Sequence, residues 1–258
     1  MDSYSEFAYL YDTFMEDVPY EKWADLLSSL FNAYGENIKK VLDLGCGTGT
    51  LTELLSSKGY DMMGVDLSED MLSVAAMKAA DSDNDILYIN QDMRELEIIE
   101  KVDAVISVCD SINYLILDED MEECFAHVKK SLRPDGLFIF DFNTVYKYET
   151  VIGDTTIAED REEAAFIWEN YYSSSDHINE YDVTFFSRIS PEECESLGLG
   201  DDELFRRFTE THIQRGYTLE EMKTFLKKTG FRFITALDEE TLKEPTAESE
   251  RIYIISRA

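Results

Sequence analysis

The sequence predicts an α/β fold: a Rossmann-like, seven-stranded, mostly parallel sheet with helices on both faces, N-terminal helices, and an antiparallel β insertion after strand 5. Three observations predict it. From residue 39 to about 142, short runs that are apolar throughout alternate with helical periodicity, as expected of parallel strands covered on both faces. The first apolar run ends in the glycine loop "GCGTG", which leads into a helix. Residues 143 to about 216 then become aromatic-rich with period two, the pattern of antiparallel strands.

The elements follow in order. Before residue 39, "FAYLYDTFM" and "YEKWADLLSSLFNAYG" read as helices leading into the sheet. "KVLDLG" is the first strand. "TGTLTELLSSKG" is the helix after it, with Leu51, Leu54 and Leu55 on one face and Gly59 as its stop. "YDMMGVDLS" is the second strand, and "SEDMLSVAAMKAA" is a helix N-capped by Ser68 with acids in its first turn. "ILYINQD" and "VDAVISVCD" are the third and fourth strands. "DEDMEECFAHVKKSL" places its acids first and its lysines last, matching the helix dipole. "RPDG" reads as a turn before the fifth strand, "LFIFDFN". The segments "FIWENYYSSSDHINEYDVTFFSRI" and "ELFRRFTETHIQRGY" supply the inserted strands. "TLEEMKTFLKKTG" is the closing helix, and "FRFITALDE" and "SERIYIISRA", separated by a loop containing Pro245, form an antiparallel pair. With no internal repeat or low-complexity linker, one domain is expected over 1–258, divided into 1–38, 39–142, 143–216 and 217–258.

Composition narrows the function classes. Hydrophobic residues make up 44% of the 258 and charged residues 30%, the profile of a soluble globular protein. No apolar run has the length to span a bilayer, and the start, "MDSYSEFAYLYD", lacks a signal-peptide pattern, so a cytoplasmic location is expected. Cys46, Cys109, Cys124 and Cys194 form no C-x-x-C pair and there are three histidines, so no metal site is expected. Cys46, inside the glycine loop, suits a small space-filler better than a nucleophile. The formal charge, 23 minus 55 or −32, disfavours nucleic acid as a partner.

Gly45, Gly47 and Gly49 let the backbone turn sharply and approach a ligand closely, at the place where open α/β sheets bind ligands. Against the dinucleotide pattern G-x-G-x-x-G, the third glycine comes one residue early. The stretch "DLGCGTGTLTELLSSKGYDMMGVDLSEDML" as a whole resembles the signature of class I S-adenosylmethionine-dependent methyltransferases. "QDMREL", "VDAVISVCDSINYL" and "RPDGLFIFDFN" extend the resemblance over roughly residues 38 to 142 and the closing strands. It implies S-adenosyl-L-methionine as cosubstrate, held by Asp43, Gly45, Cys46, Gly47 and Gly49. Asp66 would bond the ribose hydroxyls, with Leu67 and Met71 beside it. Asp92 would reach the adenine amino group, Met93 would pack on the ring, and Cys109 would line the sulfonium end.

The acceptor side is also read by resemblance. "FAYLYDTFMEDVPYEKW" is similar to the N-terminal helical lid of small-molecule methyltransferases, which makes Tyr11 and Trp23, then Tyr20, candidates to close over the donor. The same aromatics also suit anchoring of the helices to the core. The β insertion resembles the roof over the acceptor in sugar N-methyltransferases and glycine N-methyltransferase-like enzymes, and also resembles uncharacterised methyltransferases of Gram-positive bacteria. Asn113, Tyr114, Trp168 and Tyr171 are the substrate-binding candidates, with Tyr172 and Phe186 as further lining. For the roof aromatics, packing of a strand face is the alternative. Methyl transfer is an in-line displacement that needs alignment and water exclusion, and a base only where the acceptor must lose a proton. Asp110 and His212 are the acid–base candidates; Asp110 also suits a cap of the "SINYL" turn and His212 a satisfied strand histidine. The expected function is methyl transfer to a small-molecule acceptor with an N or O nucleophile. An NAD-linked oxidoreductase and a non-catalytic S-adenosylmethionine-binding regulatory module are the alternatives. A homodimer is compatible with the β insertion.

Overall fold

A computed structural model of the chain describes residues 3–82, 84–161, 164–196, 198 and 204–258. Five strands, β1 (Lys40–Leu44), β2 (Asp61–Asp66), β3 (Leu87–Asn90), β4 (Val102–Ser107) and β5 (Leu132–Asn143), run parallel. A four-stranded antiparallel sheet, β6 (Thr156–Asp160), β7 (Ala164–Ser173), β8 (Ile178–Arg188) and β9 (Phe205–Arg215), follows β5. The chain then returns through β10 (Arg232–Asp238) and β11 (Arg251–Arg257) to complete a seven-stranded sheet of order β10-β11-β5-β4-β1-β2-β3. β11 is antiparallel to both its neighbours. β1 pairs with β2 on one side and β4 on the other, so the strand order reverses there and a crevice opens outside their carboxyl ends.

Strand periodicity fills both faces. Leu42, Leu44, Phe138, Phe140, Ile252 and Ile254 pack with Phe125 and Val128 of α5 (Asp118–Ser131) and Met222 and Phe225 of α7 (Leu219–Lys228). Val41, Ile106, Ile139 and Ile255 meet Leu27 and Phe31 of α2 (Tyr20–Tyr34) and Leu51 and Leu55 of α3 (Thr50–Ser57) on the other face. Burial of side chains on this scale, about 1.5–3 kcal/mol for each large aliphatic or aromatic, provides the main driving force for the sheet.

The N-terminal helix α1 (Ser3–Phe14) lies between the two sheets. Ala8 and Tyr11 pack on Met71 and Val74 of α4 (Glu69–Ser82). Leu10 and Phe14 pack on Phe166, Val183 and Phe185 of the second sheet. Both N-terminal segments are helical as expected. The expected "RPDG" turn is absorbed into β5 as an irregularity: the β4–β5 register shifts between Val102 and Ala104, and Asp135 has φ +60°. A short helix, α6 (Pro191–Ser196), lies between β8 and β9 where the sequence suggested no helix. Among the described residues, no helix is long and apolar enough to cross a membrane.

Asn113 corrects another expectation. Its side chain is 0% exposed and fully committed: Nδ2 donates to the carbonyls of Asn143 (2.9 Å) and Arg215 (2.7 Å), and Oδ1 accepts the Asn143 N–H at 2.9 Å. It clamps β5 and the second sheet to the turn after β4 rather than lining a pocket. Asn113→Ala strands these buried backbone groups, and leaving one such group unsatisfied costs roughly 1–3 kcal/mol. A matching loss of stability in denaturant melts is the expected outcome.

Candidate active site

The glycine loop joins β1 to α3 with φ of +78°, +54° and +74° at Gly45, Gly47 and Gly49. A Cβ at Gly49 would strike Tyr88 Oη at 2.5 Å, and one at Gly45 would strike Ser111 at 2.7 Å. At Gly47 a Cβ would meet nothing within 4 Å. The flanking glycines therefore permit close packing, while the crown of the loop faces open space.

Asp66, at the end of β2, accepts the Gly47 N–H at 2.7 Å through Oδ2 and the Ser68 N–H at 2.9 Å through Oδ1. It thus holds the loop crown directly. Burial raises its pKa, and those backbone N–H groups oppose the rise. Leu67 beside it is 68% exposed, an apolar side chain left uncovered at the crevice. Asp43 is buried and accepts a hydrogen bond from Thr52 Oγ1 at 2.7 Å. Burial pushes its carboxyl up to about 7, the Thr52 bond opposing and Asp66 adding to the rise. Cys46 is a free thiol whose pKa is raised, chiefly by burial, consistent with a space-filler.

Two expected ligand residues are otherwise engaged. Asp92 accepts from the Arg94 N–H at 2.9 Å and from Arg94 Nε and Nη2 at 3.0 and 2.5 Å. It caps the short helical turn Met93–Glu95, and the Arg94 hydrogen bonds hold its pKa down. Met93 lies beside the loop, its Cε 3.7 Å from where a Gly45 Cβ would stand. Met71 is taken up in packing under α1.

The end of β4 carries a network the sequence did not reveal. Cys109 and Asp110 both have positive φ, +61° and +52°, an uncommon conformation for non-glycine residues. Their consecutive N–H groups converge on Asp141, to Oδ2 at 3.0 Å and Oδ1 at 2.8 Å. Arg251 Nη2 bonds Asp110 Oδ1 at 2.6 Å, and Nη1 lies 3.5 Å from Asp141 Oδ2. Gln214 Nε2 donates to Asp110 Oδ2 at 2.8 Å. The Asp110 side chain therefore makes no capping bond to the following turn; it links β11 to the second sheet. Burial pushes Asp141 up to about 6 against the pull of Arg251. Burial likewise pushes Cys109 up to about 12. Tyr11, Tyr20 and Cys109 influence one another here, and burial raises both phenols. Trp23 is mostly buried, edge-on to Tyr20 at 5.3 Å and under the Arg251 guanidinium at 5.8 Å.

Above this network the second sheet turns one face inward. Trp168 stacks on Tyr181 at 4.5 Å, and Tyr181 stacks on His212 at 4.9 Å. Tyr114 Oη lies 2.9 Å from His212 Nδ1 and 3.3 Å from Tyr181 Oη. Burial lowers the His212 pKa, with Asp110 partly offsetting it. Tyr171 does not join them. Strand alternation puts it on the opposite face from Trp168, 54% exposed. Tyr172 shares the inner face but bonds His177 Nδ1 at 3.0 Å, and Phe186, adjacent to inward Phe185, alternates away. Lone acids and amides in otherwise regular strands, Asp141 in "LFIFDFN" and Gln214 in "THIQR", were the available signals for the missed residues. For Asp12 there was none: it accepts from Thr48 Oγ1 at 2.6 Å and pairs with Lys78, tying α1 to the glycine loop. Among the described residues, no group of three or more His, Cys, Asp or Glu side chains could hold a metal.

Residues 41–136 match the family model described as a methyltransferase domain. A Geobacillus sp. (strain WCH70) protein, provisionally named a methyltransferase, is 34% identical over 99% of both chains. The crystal structure of an S-adenosylmethionine-dependent methyltransferase from Clostridium acetobutylicum superposes with a TM-score of 0.84 at 31% identity, covering 99% of each chain. The Streptomyces venezuelae dTDP-3-amino-3,4,6-trideoxy-α-D-glucopyranose N,N-dimethyltransferase is 30% identical over 47% of this chain and 50% of its own length. None of these relatives is an oxidoreductase.

Asp43 gives the site a pH signature. A carboxyl raised from 3.8 to about 7 contributes stability fully below 3.8 and loses it as pH rises through 7. Asp43→Asn removes that dependence, so the wild-type stability advantage falls between these pH values by up to roughly 1.4 kcal/mol per pH unit. Denaturant melts of both proteins across the window measure it; a pH-independent difference contradicts the assignment.

Proposed function

Because the chain belongs to the S-adenosylmethionine-dependent methyltransferases, we propose that it methylates a small-molecule acceptor at a nitrogen or oxygen nucleophile. The donor would sit on residues 39–142 and the acceptor under residues 143–216. The observation that carries this reading is the open crown of the glycine loop at Gly47, held by Asp66. That space, bounded by backbone and a carboxylate, fits the donor's methionine and ribose portions.

The donor, when bound, supplies a methyl group on a sulfonium. The chain's residues supply the geometry. Each Asp66 oxygen takes one backbone N–H, leaving lone-pair capacity on both for the two ribose hydroxyls. Exposed Leu67 and Met93, beside the glycine loop, offer apolar surface to the adenine ring. Asp92, occupied by Arg94, acts by setting the turn that carries Met93 rather than by reaching the adenine directly. Tyr11, Tyr20 and Cys109 bound the sulfonium end and exclude water, with α1 as the cover. Asp110, paired with Arg251 and Gln214, is a positioning residue. His212, kept neutral at pH 7 by burial, is the group able to receive a proton from the acceptor, with Tyr114, Tyr181 and Trp168 forming the surface beside it. The amino-sugar substrate in the name of the Streptomyces relative supports a nitrogen nucleophile.

Asp66→Ala removes charge-assisted hydrogen bonds worth roughly 1.5–3 kcal/mol. S-adenosylmethionine affinity, read by calorimetry, should fall about tenfold or more. Gly47→Val should be worse, since it fills the open crown; normal binding by either folded variant removes the assignment. His212→Ala should leave donor affinity within about twofold while turnover falls, and a large loss of donor affinity would place His212 on the donor side.

A further inference from the structure

Three carboxylic acids are fully buried among the described residues: Asp43, Asp141 and Glu210. Asp43 has Thr52, and Asp141 has two N–H groups and Arg251. Glu210 is 4% exposed, and its side chain makes no hydrogen bond or ion pair; its Oε1 is sealed from solvent without a partner. Burial alone raises its pKa, with no neighbouring charge opposing. Leaving a buried carboxylate oxygen without a partner costs roughly 1–3 kcal/mol or more, a cost that a cationic partner would relieve.

Its position says what that is. The β7–β8–β9 register sets Glu210 opposite Val183, which pairs with Trp168. On the same inward face of β9, Phe208 precedes it and His212 follows it. The Phe208 end packs with Leu10 and Phe14 of α1, and the His212 end meets Tyr114. Glu210 thus lies between the contact with α1 and the contact with Tyr114. The stacked Trp168, Tyr181 and His212 rings flank it.

We propose that Glu210 is the counter-ion for a positively charged acceptor, an amine bound as its ammonium under the β sheet. An anion set among aromatic rings selects a cation over an isosteric neutral molecule, through the ion pair and through the ring faces. This specifies the substrate class and rests on the methyltransferase reading above.

The test uses the protein saturated with S-adenosylhomocysteine and two probes of equal shape, cyclohexylamine (cationic at pH 7.5) and cyclohexanol. Wild type should bind the amine at least tenfold more tightly. In Glu210→Gln, which keeps the side-chain volume, that preference should shrink to within about twofold, and the melting temperature should rise because the unpaired charge is gone. Equal affinity of wild type for the two probes overturns the proposal, as does a cation preference that survives in Glu210→Gln. S-adenosylhomocysteine is titrated into both proteins first. Failure of wild type to bind it counts against the donor site, whereas normal binding without amine selectivity counts against Glu210 alone.

Discussion

Everything at the carboxyl end of the sheet depends on how Asp141 is neutralised. A carboxylate at this depth is tolerable only with good partners, and it takes them from two chain segments. Two successive N–H groups come from Cys109 and Asp110, which adopt left-handed conformations that let adjacent amides converge on one anion. The guanidinium comes from β11. That arrangement bends the chain sharply after β4, so that Ser111 Oγ reaches the Gly45 carbonyl at 3.2 Å and Tyr114 projects toward the second sheet. Asp110, bent outward by the same turn, carries the connection on to Gln214. β4, β5, β9 and β11 are thereby joined around a single buried charge.

The inner face of the second sheet changes character along its length for the same reason. Near α1 it is hydrocarbon: Phe166, Phe185 and Phe208. In its middle it is aromatic with polar tips. Near Asp110 it is amide, with Asn170 and Asn179 paired to each other at 2.8 and 2.9 Å and Gln214 bonded to Tyr148 Oη at 2.7 Å. Each zone matches what it meets, a helix side at one end and a charged network at the other.

Much of this was legible in the sequence because it is periodic. The strands of the main sheet, the helices between them, the terminal antiparallel pair and the inserted β segment all follow from patterns of two or 3.6 residues. Asp43, Gly47 and Asp66, in and beside the glycine loop, stood out by type and spacing. What escaped depends on where a chain turns in three dimensions. Asn113 and Tyr114 are neighbours in one turn, yet the first is spent on carbonyls and the second is open to the crevice. No propensity separates them. Parity relative to Trp168 would have sent Tyr171 outward, but the covered face of the sheet was unknown. Arg251 is 110 residues from Asp141 in the chain, and nothing local announces that they meet.

Placement of α1 has an energetic consequence. Asp12 fastens the helix to the glycine loop, Tyr11 meets α4, and Leu10 and Phe14 meet the second sheet. One helix of 12 residues therefore borders both the glycine loop and the inner face of the second sheet, the places proposed above for donor and acceptor. A ligand that holds α1 in place has already met the entropic cost of ordering it, and a second ligand does not meet that cost again. The two affinities are then linked, reciprocally and by the same factor, with no contact between the ligands and no change of shape elsewhere. With donor and acceptor placed as proposed above, one helix serving both sites makes positive cooperativity between them the expected behaviour.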